Sequence, residues 1–276
     1  MLNLKNIIVN KPAFLLGEKK YLKYLRFLSY VTLNPIKIKT DTIEVLTKPY
    51  IFAQIYKVSY KKKEVWIADG YRVSRLLRGF SHAGERSLGR YRLEELLKGE
   101  KICTAIDVGA NIGEFSIGLI NRGVSEIFCF EPDPVSFACL KNNFSGDKSI
   151  KFSNFAASNV NKITDFYLSS KRADSSLVKP DFFEKVIKVI SVKLDTFLPA
   201  NINSIDLLKI EAEGAEPEVI LGSLSILDKI KFIVVDSSPE RYGEKTDKEV
   251  RKILEDFDYE VKVFDDGIVH AINRNL

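Results

Sequence analysis

Seven consecutive residues, Asp107-Val108-Gly109-Ala110-Asn111-Ile112-Gly113, carry the clearest chemistry in the chain. They join an apolar run, ICTAIDVG (102–109), to an amphipathic one, GEFSIGLINRG (113–123). That pattern predicts a strand, a tight turn and a helix, and glycines in such a turn let the backbone bend sharply and approach a ligand. The next apolar run, SEIFCFEP (125–132), ends in Glu131 and Pro132. A carboxylate at a strand end can accept hydrogen bonds from both hydroxyls of a ribose. Loop and carboxylate together predict a nucleoside site. A dinucleotide would ask for G-x-G-x-x-G, with its pyrophosphate on the helix N-terminus. Here the pattern is D-x-G-x-N-x-G, and Asp107 opposes a pyrophosphate. S-adenosylmethionine (SAM) instead presents an ammonium and a sulfonium, which an acidic strand end favours. SAM is therefore the expected cofactor and S-adenosylhomocysteine (SAH) the product.

Methyl transfer from a sulfonium to oxygen is an in-line displacement that needs alignment and a base for the hydroxyl proton. The chain has two histidines, His82 and His270. His82 falls in an arginine-rich stretch, 81–88, that reads as a loop, and it is a candidate base; His270 falls in a terminal strand and reads as structural. Lys209, Glu211 and Glu213 fall at the carboxyl end of SIDLLKIEAEG (204–214), the end at which α/β sheets bind ligands. Strand alternation sends Glu211 and Glu213 to the same side. Glu211 is a second candidate base, with Lys209 as the ion-pair partner that organises the site. Glu213-Gly214 also reads as a helix-start device. Asp236, ending KIKFIVVDSS (229–238), could join Glu211 in holding Mg²⁺. A divalent metal is the less favoured arrangement, and no metal ligand is assigned.

These residues need a scaffold. From about residue 101 short apolar runs alternate with amphipathic ones, the pattern of a parallel α/β sheet. KFSNFAAS (151–158) reads as a third strand, and helices are expected over 134–144, 215–227 and 248–257. YEVKVF (259–264) and GIVHAIN (267–273) read as a closing hairpin around Asp265-Asp266-Gly267. An insertion, 159–203, holds two further strand patterns, TDFYLSS and VIKVISVKL. Upstream, a helix is expected over about 18–31, strands over IFAQIYKVSY and EVWIAD, and a helix over 89–98. The expected fold is thus an α/β, Rossmann-like, mostly parallel sheet with a C-terminal antiparallel hairpin and a small N-terminal α+β appendage. Residues 1–84 form the expected accessory region and 85–276 the expected main domain.

Six blocks resemble the FkbM-type methyltransferases: IDVGANIGEFS (106–116), FEPDP (130–134), FAAS (155–158), SSL (175–177), VKLDTFL (192–198) and LLKIEAEGAEPEVILGS (207–223). They keep the family's order over about residues 100–240, roughly half the chain. The resemblance implies a class I SAM-methyltransferase fold, SAM as donor, and usually a hydroxyl acceptor on a sugar or secondary-metabolite scaffold. It also implies that Asp107, Gly109, Asn111 and Gly113 hold the methionine part of SAM. Glu131 would hold the ribose, and Phe155, Ala156 and Ala157 would border the adenine. Glu211 departs from the family, whose members often have Asp there, and nothing before residue 85 is family-specific.

Composition bounds the partners. Residues 1–100 hold 20 lysines and arginines against 9 acids, and the remainder holds 22 against 28. The basic first part includes Arg72, Arg75, Arg78, Arg86, Arg90 and Arg92, whose forked guanidinium groups suit phosphate or carboxylate. A small-molecule or glycan acceptor is expected, with an anionic one conceivable and nucleic acid the weaker alternative. The rival readings are an RNA methyltransferase using the basic region and a non-catalytic SAM-binding module. Cys103, Cys129 and Cys139 lack metal-ligand spacing and read as small buried hydrophobes. No uncharged stretch approaches the roughly 18 residues of a membrane span, and Lys5 interrupts any signal core. A cytoplasmic protein is expected.

Overall fold

The computed structural model describes residues 36–39, 44–47, 55–60, 63–68, 73–76, 78–169, 173–199 and 202–276. The helix expected over 18–31 lies outside the described residues. The first described strands, β1 (Ile36–Lys39), β2 (Glu44–Thr47), β3 (Ile55–Tyr60) and β4 (Lys63–Ala68), form an antiparallel sheet in chain order. Helices α1 (Phe80–Arg90) and α2 (Leu93–Leu97) follow. The α/β part then runs β5 (Thr104–Val108), α3 (Glu114–Asn121), β6 (Glu126–Phe130), α4 (Pro134–Asn143), β7 (Ile150–Ser153) and β8 (Ala156–Ala157). It continues through β9 (Lys162–Leu168), β10 (Lys185–Val192), α5 (Leu194–Phe197), β11 (Ile205–Ile210) and α6 (Glu216–Leu221). Strand β12 (Ile230–Asp236), α7 (Asp247–Glu255), β13 (Tyr259–Val263) and β14 (Ile268–Asn273) close the chain.

Seven strands build the central sheet in the order β13-β14-β12-β11-β5-β6-β7. The five from β12 to β7 run parallel, and β14 runs antiparallel to both its neighbours. This is the expected mostly parallel α/β sheet with its terminal antiparallel hairpin. Strands β5, β11 and β12 are buried along nearly their whole length, as strands covered by helices on both faces must be. Helix α4 starts where Asp133 accepts hydrogen bonds from the Val135 and Ser136 backbone N–H groups, with Pro134 in the first turn. Helix α7 turns Val250 and Leu254 inward against the sheet.

Several expectations need correction. KFSNFAAS is not one strand. The Asn154 amide donates to the Glu131 carbonyl at 2.7 Å and to the Pro132 carbonyl at 3.2 Å. The β6 ladder ends there, and Ala156–Ala157 pairs with β10 in a separate three-stranded sheet, β8-β10-β9. Residues 81–88 are helix, not loop, and the single helix expected over 89–98 is two. Arg92 and Lys98, both at positive φ, flank α2. Cys103 is exposed, while Cys129 and Cys139 are buried as expected.

Helix α1 also passes unbroken through the expected boundary between 84 and 85. It packs on α3 so closely that a Cβ on Gly84 would lie 2.7 Å from the Gly118 backbone nitrogen. The N-terminal sheet is tied down as well. The Trp66 N–H donates to the Asn143 side-chain oxygen at 2.6 Å, and the Asn143 amide returns bonds to the carbonyls of Trp66 and Ile112. Val58, Val65 and Ile67 share a buried cluster of their own with Ala83, Ile112 and Cys139, so this sheet packs against the α/β part. No described helix is long and apolar enough to cross a membrane.

Candidate active site

The carboxyl ends of β5, β6 and β11, with Glu240 from the segment after β12, line one cleft of about 540 Å³, within the range of small-molecule sites. Its polar framework begins with Glu131, just past β6. One Glu131 oxygen accepts the Asn111 N–H at 2.7 Å, and the other accepts the Asp133 N–H at 2.8 Å. The first bond steadies Asn111 in its left-handed conformation, φ 49. Burial, with Asp133 beside it, pushes the Glu131 carboxyl up to about 8, against the pull of the two N–H donors.

Lys209, on β11, is the buried hub of the site. Its ammonium is 3.0 Å from Asp107 and 3.1 Å from Glu211, and it donates to the carbonyls of Val108 and Gly109. Burial would lower its pKa, but Asp107 and Glu211 raise it above the usual lysine value, so the group stays charged. Asp107 is fully buried, with its other oxygen taken by the Ser116 hydroxyl at 2.6 Å. Its carboxylate therefore sits beneath the glycine loop and outside the cleft wall. Gly109, at φ 74, is required for a reason besides ligand approach: a Cβ there would run into the Glu211 carbonyl.

Arg90, from α1, bridges the ends of β11 and β12. Its guanidinium donates to Glu211 at 2.9 Å and also to Asp236, which accepts two further bonds from Ser238. Burial alone would raise Glu211, but Lys209 and Arg90 outweigh it and hold the carboxyl down at about 2. The two carboxylates considered for a metal are thus linked by a cation from the protein itself. The helix-start role suggested for Glu213-Gly214 belongs to Glu216, whose buried carboxylate takes the N–H groups of Ala212 and Gly214 and the Thr246 hydroxyl.

Gly109, Asn111, Glu131, Ala156, Ala157, Lys209 and Glu211 all line the cleft. Gly113 lies against the Phe144 ring, and Phe155 stacks edge-on to Phe197 at 5.1 Å; neither lines the cleft. His82 is exposed on the first turn of α1 and also lies off the cleft. His270 is buried with its ring nitrogen 2.8 Å from the Tyr91 carbonyl, and burial lowers its pKa. Of the arginines, Arg75, Arg86 and Arg90 reach the cleft wall, where Arg75 and Arg86 both face Glu114 at 3.3 and 3.5 Å. Sequence reasoning assigned no role to Asp174 or Glu240 of the lining, nor a bridging one to Arg90. The donor set fits SAM: a paired-acceptor carboxylate for a diol, small apolar residues for a purine edge, and acidic groups for a cationic centre.

The profile described as the methyltransferase FkbM domain matches residues 107–261, and the chain belongs to the FkbM methyltransferase family. Among curated proteins it is 29% identical over 157 residues to the 2-O-methyltransferase NoeI of Sinorhizobium fredii, a match covering 50% of this chain. The match spans 65% of that relative's length. Among solved structures it is similar to P. horikoshii TYW2 in complex with MeSAdo, at 13% identity and TM-score 0.42, covering 91% of this chain and 80% of that one. It is also similar to M. capricolum TrmK in complex with S-adenosylhomocysteine, at 17% identity and TM-score 0.37, covering 67% and 68% of the two chains.

Proposed function

We propose that the protein is a SAM-dependent O-methyltransferase acting on a hydroxyl of a sugar, glycolipid or secondary-metabolite acceptor. The observation that carries this reading is Glu131, a strand-end carboxylate aimed by two backbone N–H groups into the cleft that the glycine loop also lines. Bound SAM supplies a methyl group already activated by its sulfonium. The chain's own residues supply the placement. Glu131 holds the ribose hydroxyls, while Ala156, Ala157 and Phe130 border the base. Lys209 fixes the loop from below through the Val108 and Gly109 carbonyls.

Glu211 suits facing a cationic centre better than taking a proton, because a carboxylate held at about 2 is a weak base at neutral pH. The likeness to a 2-O-methyltransferase supports oxygen as the methylated atom. A neutral, hydroxyl-rich acceptor fits better than an anionic one, since Arg75, Arg86 and Arg90 already face carboxylates. Free rather than bridged cysteines support the cytoplasm as its compartment. The test is transfer from methyl-labelled SAM to sugars, glycolipids and total RNA. Label in the sugar or glycolipid fraction is expected. Label in RNA alone would replace this reading with an RNA methyltransferase, and SAM binding without transfer to any fraction would leave a non-catalytic module.

A further inference from the structure

Among the described residues nine large hydrophobic side chains are exposed, and five of them, Ile163, Phe182, Phe183, Val186 and Ile190, lie on β9, on β10 or just before β10. Exposed apolar residues scattered singly are ordinary, whereas a cluster marks a contact surface. Strand alternation gives the β9–β10 pair two faces. On the inner face Phe166 and Val189 are buried with Ala156, and Phe166 lines the cleft. The outer face carries three cross-strand pairs: Ile163 with Ile190, Asp165 with Lys188, and Tyr167 with Val186. Asp165 and Lys188 form an ion pair at 2.7 Å, and the Phe183 ring lies edge-on to Tyr167 at 5.2 Å. Exposures of 70% at Ile163 and 48% at Ile190 show that no described element covers this face. It therefore presents two apolar ends around a central pair of opposite charges.

We propose that this face binds a second copy of the chain, in a two-fold dimer whose outer faces stack. The charge pattern selects both the partner and its orientation. A two-fold axis running along the strands, between β9 and β10, lays each strand over the other strand of the partner at the same height. Each position then meets the residue type that it already pairs with inside its own sheet. Ile163 meets Ile190 of the partner subunit, Tyr167 meets Val186 of the partner subunit, and Asp165 meets Lys188 of the partner subunit. Every contact occurs twice, as an isologous interface requires. Each charge of the central pair gains a second opposite charge, which offsets the cost of drying it and fixes the register. A two-fold axis across the strands, centred on the same pair, would instead set Asp165 on Asp165 and Lys188 on Lys188, a like-charge arrangement that costs several kcal/mol. Stacking along the strands also keeps the two sheets nearly aligned, the common arrangement for sheets packed face to face. Because the cleft is lined from the inner face, the dimer forms on the side of the β9–β10 pair away from it.

The experiment is sedimentation equilibrium of the full chain, of Asp165→Lys, of Lys188→Glu, and of the two variants mixed. The parent protein should approach twice the 31.3 kDa chain mass as its concentration rises. Each variant sets like charges against each other across the axis, so each alone should return to the monomer mass. Mixed, one basic and one acidic face complement each other, and the dimer mass should reappear. Damage to the fold of either variant would not be repaired by mixing, so the rescue reports the interface itself. Both side chains reach solvent, so neither substitution should unfold the chain. Should one do so, Ile163→Ser combined with Ile190→Ser leaves the charges in place and should also lose the dimer. A parent protein that stays monomeric at every concentration would overturn the proposal. If that monomer binds vesicles of phosphatidylcholine and phosphatidylglycerol, the face is a lipid-contact surface instead. Variants that remain dimers alone, or remain monomers when mixed, would overturn it as well.

Discussion

The two sides of the cleft are held by different physics. On the β5–β6 side the backbone does the holding: Glu131 is fixed by the N–H groups of Asn111 and Asp133, and the loop carbonyls rest on Lys209. On the β11–β12 side, side chains hold side chains: Arg90 joins Glu211 to Asp236, and Lys209 pairs with Glu211. Backbone donors are fixed once the chain folds, so the first side is preorganised, with Glu131, pushed up to about 8 by burial and Asp133, as the group on it that answers to pH. Charges on the second side titrate and are screened, so that side answers to pH and salt.

The contrast can be broken first at Lys209, which serves both sides. Lys209→Met leaves Asp107 buried and unpaired, so it should destabilise the fold by about 3–5 kcal/mol, the usual cost of removing one partner of a buried ion pair. Denaturant unfolding measures it, and a loss under about 1 kcal/mol would show that Asp107 does not need the cation.

Arg90→Met addresses the charged side alone. Arg90 is 48% exposed, so solvent screening limits the expected loss to about 1 kcal/mol. The pH dependence carries a sign. Glu211 is depressed in the folded protein, so its contribution is present above its unfolded value near 4.3 and is lost as the pH falls towards 2. The difference between parent and variant should therefore shrink on acidification. A difference of equal size at neutral and acid pH would mean that Arg90 acts by packing.

The smallest effect is expected at His82, which belongs to neither side. On the exposed first turn of α1, His82→Ala should change stability by less than about 0.5 kcal/mol and leave methyl transfer intact. Loss of transfer with the fold preserved would restore it as a base.

The contrast also explains what could be read in advance. The geometry of the β5–β6 side is legible because its signal is local: Asp107 to Gly113 is one strand end and its turn, and Glu131 follows the next strand. Nothing local marks Arg90 as the bridge, since its partners lie 121 and 146 residues away. Stretch 81–88 reads as a loop, whereas it is helix and the structure uses its Gly84 to seat α1 on α3. The break within 151–158 is hidden for a similar reason. Alternation cannot reveal that the chain leaves the sheet at Asn154, where a side-chain amide takes the carbonyls that would guide it onward.

The most direct test of the nucleoside side, and of the account as a whole, is calorimetry of SAM and NAD binding to the parent protein and to Glu131→Ala. Removing the acceptor of two ribose hydrogen bonds forfeits about 1.5–3 kcal/mol for each where the Glu131 carboxyl is ionised and about 0.5–1.5 kcal/mol where it is protonated, before compensation. The account predicts SAM binding without NAD binding, and at least a roughly tenfold loss of SAM affinity in the variant. Equal SAM affinity in the two proteins would contradict the placement of the cofactor at Glu131.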